Sequence, residues 1–548
     1  MPTRSCHPRR AGTVLLVTVL VAVACGRGDG ITSLKAPPAY AGLLDAAVVR
    51  TSMGPLRGLV AADYRLFQGI PYAAPPVGSL RWQPPRPAAR WSKVLDAAKP
   101  GPQCIQDTGR DPHAGKPTAE NCLTLNVWTP TLLRGKDVSK RPVMVWIHGG
   151  GFINGSGDIY NSRWLASEGH IVVVTINYRL GALGFLAHPS LGPANDVGNY
   201  GLADQQAALR WVRDNIDAFG GDPGKVTIAG ESAGGISVCD HLVAPGSAGL
   251  FRAAIIQSAP CQAQADLATG RAYSLDYAAS VGCHNAATAA ACLRALPAAK
   301  FKNPPWYFLV GDSDALSGPV TGTAALPDRP VGAFAAGRAA RVPVMIGVNH
   351  DEFTLFAALR YLKFGRGVTS EEYPRVLASF FGPYGAAVLA HYPPDRYGGD
   401  ISVAYSAAVT DGFFACVADR LADSLDRGAP VYTYEFDDSH APAPDPLRHV
   451  PFPVGATHSL ELRYLFNVGD APRLDPGQRA LSDQMISYWS HFVTNGSPEA
   501  PREPAWPVNG KDHGHDVWMS LRPDGSRAVS SFEEAHQCSF WASLKGQS

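Results

Sequence analysis

The stretch that decides the fold is Val226-Thr227-Ile228-Ala229-Gly230-Glu231-Ser232-Ala233-Gly234. Its first four residues are apolar or β-branched and predict a strand, and a helix-compatible run follows Gly234. A serine on such a turn is strained, and side chains at Gly230 or Gly234 would collide with neighbouring backbone. Ser232 is therefore the candidate nucleophile. The alternative is an ordinary glycine-rich turn, because 56 glycines make Gly-x-Ser-x-Gly frequent by chance.

Further apolar runs extend the strand prediction. They are continuous rather than alternating, as expected of strands covered on both faces. The predicted strands cover 143–147, 171–177, 226–229, 253–257, 342–348 and 431–436. A helical pattern covers 204–216, with Asp204 in its first turn. This alternation predicts a mainly parallel sheet wrapped by helices, and the serine turn makes it an α/β-hydrolase fold.

The chain is predicted to form one large domain. Residues 261–340 and 365–430 are rich in Ala, Pro and Gly and are expected to be helical insertions that cap the active site. Because the candidate motifs extend from position 148 to position 458, residues 46–548 are assigned to a single domain. A formal net charge of +1 with 17% charged residues gives no field for nucleic acid or acidic membranes. We expect a small neutral or mildly polar substrate.

The amino terminus has the pattern of an export signal. Three arginines by position 10 precede an uncharged run over 11–24, so 1–25 are predicted to be a signal peptide and 26–45 a linker. Ala22-Val23-Ala24 suits ordinary cleavage, whereas Cys25 directly after it is typical of a lipoprotein acylation site. Both outcomes remain open, so the protein is expected to be secreted or held at the cell surface by a lipid on Cys25.

Export makes disulfides chemically reasonable. The chain has ten cysteines, and removing the two in the signal leaves eight, which allow 105 pairings. Short spacings favour local loops from Cys104 to Cys122 and from Cys283 to Cys292. The pairing of Cys239 and Cys261 cannot be read, and buried free thiols are the alternative for them.

A second motif, His148-Gly149-Gly150-Gly151-Phe152, follows the predicted strand 143–147. Consecutive glycines let successive N–H groups converge on one oxygen, which is how this fold stabilises an oxyanion. We predict three donors, the N–H groups of Gly150, Gly151 and Ala233. A phosphate-binding loop is the alternative, but no Lys-Ser or Lys-Thr follows. His148 is expected to order the loop rather than act as a base.

The acid and the base should lie downstream of Ser232, at the carboxyl ends of later strands. After the predicted strand 342–348, Asp351 and Glu352 are adjacent carboxylates, only one of which can orient an imidazole. After the predicted strand 431–436 come His440, His449 and His458, each in a loop. Pattern reasoning leaves the choice among them open.

Several sequence blocks resemble the type-B carboxylesterase and cholinesterase family of serine esterases. They occur in the family's order over nearly the whole chain after residue 48: 67–73 (FQGIPYA), 80–82 (LRW), 120–127 (ENCLTLNV), 177–181 (NYRLG) and 219–223 (FGGDP). Asn121 stands where aspartate is commoner. The resemblance implies Glu352 as the acid, His458 as the base and Ser258 as a supporting residue. Ser459 stands where glycine usually follows the histidine, and we expect it to stiffen that loop.

The same resemblance implies structural pairs. The implied disulfides join Cys104 with Cys122, Cys283 with Cys292, and Cys416 with Cys538. The implied ion pairs join Arg81 with Glu120 and Arg179 with Asp204.

The expected activity is a serine carboxylesterase that forms an acyl-enzyme, with no metal and no cofactor. Choline esterases hold the quaternary ammonium by cation–π attraction with a tryptophan in the first disulfide loop. Residues 105–121 contain no Phe, Tyr or Trp and the loop is short, which predicts a wider entrance and neutral ester substrates. The alternatives are a lipase on longer-chain esters and a non-catalytic adhesion or binding module of the same fold.

Overall fold

The computed structural model describes residues 47–107, 116–131, 139–193, 195–302, 308–310, 314–469, 471–510 and 517–545. The predicted signal peptide and linker lie outside the described residues. Chain contacts place residues from 45 onward in one compact unit.

Eleven strands form the main sheet, labelled here in chain order. They are β1 Leu59–Val60, β2 Tyr64–Pro71, β3 Thr124–Pro130, β4 Arg141–Ile147, β5 Val172–Ile176, β6 Gly221–Glu231, β7 Ala253–Gln257, β8 Val344–Asn349, β9 Val431–Phe436, β10 Trp518–Leu521 and β11 Arg527–Val529. Their order across the sheet is β11-β10-β9-β8-β7-β6-β4-β5-β3-β2-β1. Neighbours from β10 to β5 are parallel, and the remaining pairs are antiparallel.

The six predicted strands are confirmed as β4 to β9, which lie next to one another at the centre of the sheet. Their burial explains the continuous apolar runs. In β4, for example, Met144 and Trp146 pack into the core on one face, while Val143, Val145 and Ile147 pack into the core on the other. The chain is therefore an α/β-hydrolase with helices on both faces of a mixed sheet.

The α-helices, numbered in chain order, are α1 Arg163–Ser167, α2 Gly181–Phe185, α3 Tyr200–Asn215, α4 Ala233–Val243, α5 Leu267–Ser280, α6 Ala289–Ala295, α7 Pro330–Ala335, α8 Thr354–Phe364, α9 Tyr373–Phe381, α10 Gly385–His391, α11 Ile401–Val409, α12 Cys416–Asp426, α13 Leu462–Leu465, α14 Pro476–Asn495, α15 Phe532–Ala535 and α16 Cys538–Lys545. Short strands outside the main sheet are Val48–Arg50, Pro55–Arg57, Leu95–Asp96, Ala265–Asp266, Phe308–Val310, Asp314–Leu316 and Val320–Thr321. Helices α5 to α7 and α9 to α12 occupy the two predicted insertions.

The predicted start of α3 is wrong by four residues, because the helix begins at Tyr200. Asp204 therefore lies beyond the first turn and does not serve the helix dipole. It is fully buried and accepts two hydrogen bonds from the Arg179 guanidinium, at 2.7 and 2.8 Å. The ion pair between Arg81 and Glu120 is also present.

The three disulfides that the family resemblance implied are present. A fourth joins Cys239 in α4 to Cys261 after β7, so the alternative of free thiols there is wrong. One stretch of the described residues, Ile401–Asp426, is long and apolar enough to cross a membrane, but 78% of its most apolar window is buried inside the protein.

Candidate active site

Ser232 lies at the carboxyl end of β6, where the chain turns into α4. Its backbone has φ 57° and ψ −123°, a conformation that non-glycine residues rarely adopt. Its N–H donates to the carbonyl of Gln257 at 2.9 Å, which ties the turn to β7. A Cβ at Gly234 would overlap the carbonyl of Ile147, and one at Gly230 would overlap the backbone of Gly234. The predicted collisions are thus confirmed, and the turn requires both glycines.

The glycine loop after β4 packs directly against this turn. A Cβ placed on Gly149 would lie 3.1 Å from the Cβ of Ser232. Gly150 and Gly151 both have positive φ, 97° and 60°. The N–H groups of Gly150, Gly151 and Ala233 donate to no acceptor within the described part of the chain. All three predicted donors are therefore left without an internal acceptor beside the serine.

His148 orders the start of this loop. Its Nδ1 lies 2.8 Å from the carbonyl of Gly149, and its ring stacks on Tyr178 with the centroids 4.4 Å apart. Burial lowers the pKa of His148 to about 4, so the imidazole is neutral at physiological pH. These contacts agree with the predicted ordering role.

Glu352 and His458 meet beyond the end of β8. Oε2 of Glu352 lies 2.5 Å from Nδ1 of His458, and its Oε1 accepts the N–H of Asn349 at 2.8 Å. Glu352 has no exposed surface and His458 is 4% exposed. Nε2 of His458 is a buried atom with no hydrogen-bond partner among the described residues. One side of the imidazole is thus fixed by a carboxylate, and the other is available.

The other sequence candidates are not brought to this position. Asp351 accepts the N–H of Ala456 at 2.9 Å and lies 3.2 Å from its neighbour His350. The exposed ring of His440 lies 3.1 Å from the hydroxyl of the adjacent Ser439, and His449 is exposed beside an aspartate. Of the sequence candidates, the topology brings Glu352 and His458 together from two distant loops.

Two further carboxylates near His458 were missed by the sequence reasoning. Oε1 of Glu231 lies 3.2 Å from Nε2 of His458, and Glu461 accepts hydrogen bonds from the side-chain amides of Gln257 and Asn349. Their sequence positions are the signals that could have identified them. Glu231 directly precedes Ser232, and Glu461 lies three residues after His458.

These carboxylates decide the electrostatics of the site. Burial lowers the pKa of His458, but the charges of Glu231 and Glu352 outweigh it and raise this pKa to about 9. Burial, with the charges of Glu231 and Glu352, raises the pKa of Glu461 to about 8. Burial also raises the pKa of Glu231. The site thus favours a positively charged imidazole more strongly than water does.

Aromatic side chains form the wall beside the imidazole. The rings of Phe356, from α8, and Phe414 lie with their centroids 5.4 and 5.5 Å from that of His458. Phe414 belongs to the π-helical turn Thr410–Ala415 between α11 and α12. Such turns are rare and occur often at functional sites. An acyl group bound here would therefore meet apolar surface.

Ser258, the predicted supporting residue, is fully buried after β7. Its N–H donates to the carbonyl of Gly347 at 2.8 Å, but its hydroxyl has no hydrogen-bond partner among the described residues. Its supporting role stays a prediction. Within the described ranges, no group of three or more His, Cys, Asp or Glu side chains is arranged to hold a metal ion.

Comparison with known proteins agrees with this architecture. The sequence model described as "Carboxylesterase family" matches residues 45–541. The chain is 33% identical to the medium-chain fatty acyl-CoA hydrolase precursor of Anas platyrhynchos, over 94% of this chain and 95% of that protein. It is also 33% identical to the fumonisin B1 esterase of Sphingopyxis macrogoltabida, over 92% of this chain and 94% of that protein.

A solved thermophilic PNB esterase matches the fold with a TM-score of 0.76 at 29% identity, covering 90% of this chain and 100% of the esterase. The alignments thus run through the whole sheet and both insertions rather than through the serine turn alone. The chain therefore belongs to the carboxylesterase family, and it is a carboxylic ester hydrolase.

Proposed function

We propose that Ser232, His458 and Glu352 form a catalytic triad that hydrolyses carboxylic esters through an acyl-enzyme. The observation that carries this proposal is the 2.5 Å contact between Glu352 and Nδ1 of His458. It leaves Nε2 of the same ring without a hydrogen-bond partner in the described chain. A proton on Nδ1 makes Nε2 the basic nitrogen, as removal of a serine proton requires.

The proposed reaction has two steps. Nε2 of His458 takes the hydroxyl proton of Ser232 while that oxygen attacks the ester carbonyl, and Glu352 stabilises the imidazolium that forms. The imidazolium returns the proton to the leaving alcohol. Water then attacks the acyl-enzyme with the same assistance and releases the acid.

The oxyanion is proposed to bind the N–H groups of Gly150, Gly151 and Ala233. Their lack of internal acceptors supports this role, because an oxyanion would supply the missing hydrogen bonds. Loss of one such donor in other serine enzymes lowers kcat by about 100- to 1000-fold. Ser258, which directly follows β7, is proposed to support the triad without contacting the substrate.

A fluorophosphonate probe tests the nucleophile directly. We expect a covalent adduct on the peptide that carries Ser232, and no adduct in Ser232→Ala. Hydrolysis of a p-nitrophenyl ester should disappear in the same variant. An unlabelled Ser232 peptide in folded wild-type protein would favour a non-catalytic binding module, and ester hydrolysis that survives in Ser232→Ala would remove the proposal.

The proposed substrates are small neutral esters. Support comes from the loop 105–121, which has no Phe, Tyr or Trp to hold a quaternary ammonium, and from the apolar rings beside His458. Acetylcholine and its uncharged isostere 3,3-dimethylbutyl acetate form a matched pair for the test. Faster turnover of acetylcholine would contradict the assignment, and interfacial activation on emulsified long-chain triglyceride would indicate a lipase instead.

Export is proposed for the same protein. The four disulfides of the described residues support an oxidising compartment. The intact mass of the mature protein distinguishes acylated Cys25 from ordinary cleavage. An unprocessed amino terminus would contradict export.

A further inference from the structure

The residue after the catalytic histidine makes a contact that the triad does not need. The hydroxyl of Ser459 donates to Oε1 of Glu231 at 2.5 Å. This is the same oxygen that lies 3.2 Å from Nε2 of His458. Ser459 and His458 therefore converge on one carboxylate oxygen from adjacent positions in the chain.

Ser459 holds this contact at a conformational cost. Its φ is 68°, in the left-handed region where glycine is unstrained and other residues are uncommon. Glycine would adopt this conformation without strain, so the backbone of the loop does not require a side chain here. Strained residues that persist often serve a function, and the feature that serine adds over glycine is the hydroxyl on Glu231.

Glu231 is otherwise placed to compete with the nucleophile. Its side chain is 3% exposed, so water does not screen it, and its carboxylate lies beside the imidazole nitrogen that the reaction uses. The contact between Oε1 and Nε2 does not meet hydrogen-bond geometry, since Nε2 has no hydrogen-bond partner in the described chain. The hydroxyl of Ser459 is thus the donor that satisfies Oε1.

We propose that Ser459 is a positioning residue whose hydroxyl occupies Oε1 of Glu231 and so prevents that carboxylate from pairing directly with Nε2 of His458. The nitrogen then stays available for the proton of Ser232. This inference rests on the proposed function, because it concerns the availability of the base.

Removal of the Ser459 hydroxyl should shift the pH dependence of kcat in one direction. The other titratable groups that act on this contact are the carboxyls of Glu352 and Glu461 and the phenols of Tyr160 and Tyr434, and all four are unchanged when Ser459 is replaced. The hydroxyl of Ser459 stabilises the unprotonated carboxylate of Glu231 most when His458 is neutral. Protonation of Glu231 weakens this hydrogen bond, and protonation of His458 provides a competing donor. Loss of the Ser459 hydroxyl therefore favours protonation of the pair formed by His458 and Glu231.

Ser459→Ala and Ser459→Gly test the proposal together. Both remove the hydroxyl, but alanine keeps the strained Cβ and glycine relieves it. We expect the acidic limb of the kcat profile to move upward by about one pH unit in both variants. Below the limb this corresponds to an about tenfold loss of kcat, with KM unchanged. Ser439→Ala, which removes an exposed hydroxyl beside His440, is the matched control and should not shift the limb.

A second variant separates this role from simple damage to the loop. In Glu231→Gln the carboxylate charge is absent, so adding Ser459→Gly should produce no further upward shift. An unmoved limb in the Ser459 variants, a shift in only one of them, or the same shift in the Glu231→Gln background would overturn the proposal. The probe reaction at Ser232 of the wild type is read separately, so failure of the triad assignment is distinguishable from failure of this inference.

Discussion

Replacement of Glu352 by glutamine is the sharpest test of the acid, because both oxygens of this buried carboxylate accept hydrogen bonds from donors. Oε1 accepts from the N–H of Asn349 at 2.8 Å, and Oε2 contacts Nδ1 of His458 at 2.5 Å. A glutamine has one accepting oxygen and one donating NH2. Either orientation therefore sets the NH2 group against another donor, and bulk water does not relieve the conflict because Glu352 has no exposed surface.

The size of the effect follows from this geometry. If the NH2 faces His458, the ring either adopts the tautomer with its proton on Nε2, which cannot act as a base, or leaves two buried donors unsatisfied. Each unsatisfied buried donor costs about 1–3 kcal/mol, so the total is about 2–6 kcal/mol. This energy corresponds to a loss of kcat between about 30-fold and about 25,000-fold. If the NH2 faces Asn349, the same energy is lost from the free energy of unfolding.

The assay measures kcat on a p-nitrophenyl ester and the free energy of unfolding by urea for the same preparation. Asp351→Asn is the matched control, because its amide oxygen can still accept the N–H of Ala456, and we expect it to keep kcat within the same order of magnitude. If Glu352→Gln changes neither kcat nor the free energy of unfolding, the reasoning is refuted.

Three further predictions concern pH and packing. Burial lowers the pKa of His458, but Glu231 and Glu352 raise it to about 9, so kcat should rise with pH toward that value, and a profile already flat at neutral pH would contradict this. Burial lowers the pKa of His536, but Asp411 and Glu435 raise it to about 10, above the ordinary 6.5, so its stabilisation is complete below pH 6.5 and is lost as pH rises through about 10. His536→Ala leaves the carboxylates of Asp411 and Glu435 buried without their shared partner and should lower the free energy of unfolding by about 3–5 kcal/mol in urea titrations at neutral pH. An unchanged urea midpoint would contradict a stabilising role for these two contacts of His536. Gly234→Ala should lower stability by about 1–3 kcal/mol or more, whereas Gly332→Ala, with open space around it, should not; equal melting temperatures for the two variants would argue against the close packing of the turn.

The sequence predicts the centre of the sheet better than its edges. Strands β4 to β9 are covered on both faces, so their residues form unbroken apolar runs. Strand β2 contains Tyr, Arg and Gln among its apolar residues, and β10 has only four residues, Trp518–Leu521. Neither gives a periodic signal strong enough to distinguish a strand from a loop, so the sequence predicts neither strand.

A similar division holds for the candidate site. Ser232 and the glycine loop are local motifs, and their short-range geometry can be deduced from the residue types. Glu352 and His458 lie 106 positions apart and meet only because β8 and β9 are neighbours, each followed by a loop at the same sheet edge. The residues alone therefore left Asp351 and two other histidines as alternatives, and a family resemblance was needed to choose. The disulfide between Cys239 and Cys261 has no local signal either, because α4 and β7 bring the two sulfurs together.

The π-helical turn Thr410–Ala415 makes it possible to change the surface beside His458 independently of the strand ends that hold Ser232 and Glu352. Phe414 borders the imidazole from an insertion, whereas Ser232 and Glu352 are anchored at the ends of sheet strands. Variation at Phe414, and at Phe413 whose ring lies 5.3 Å from it, can therefore change the apolar surface beside His458 without altering the strand ends. A focused library at these two positions is a practical route to new ester selectivity in which the proposed catalytic residues are kept.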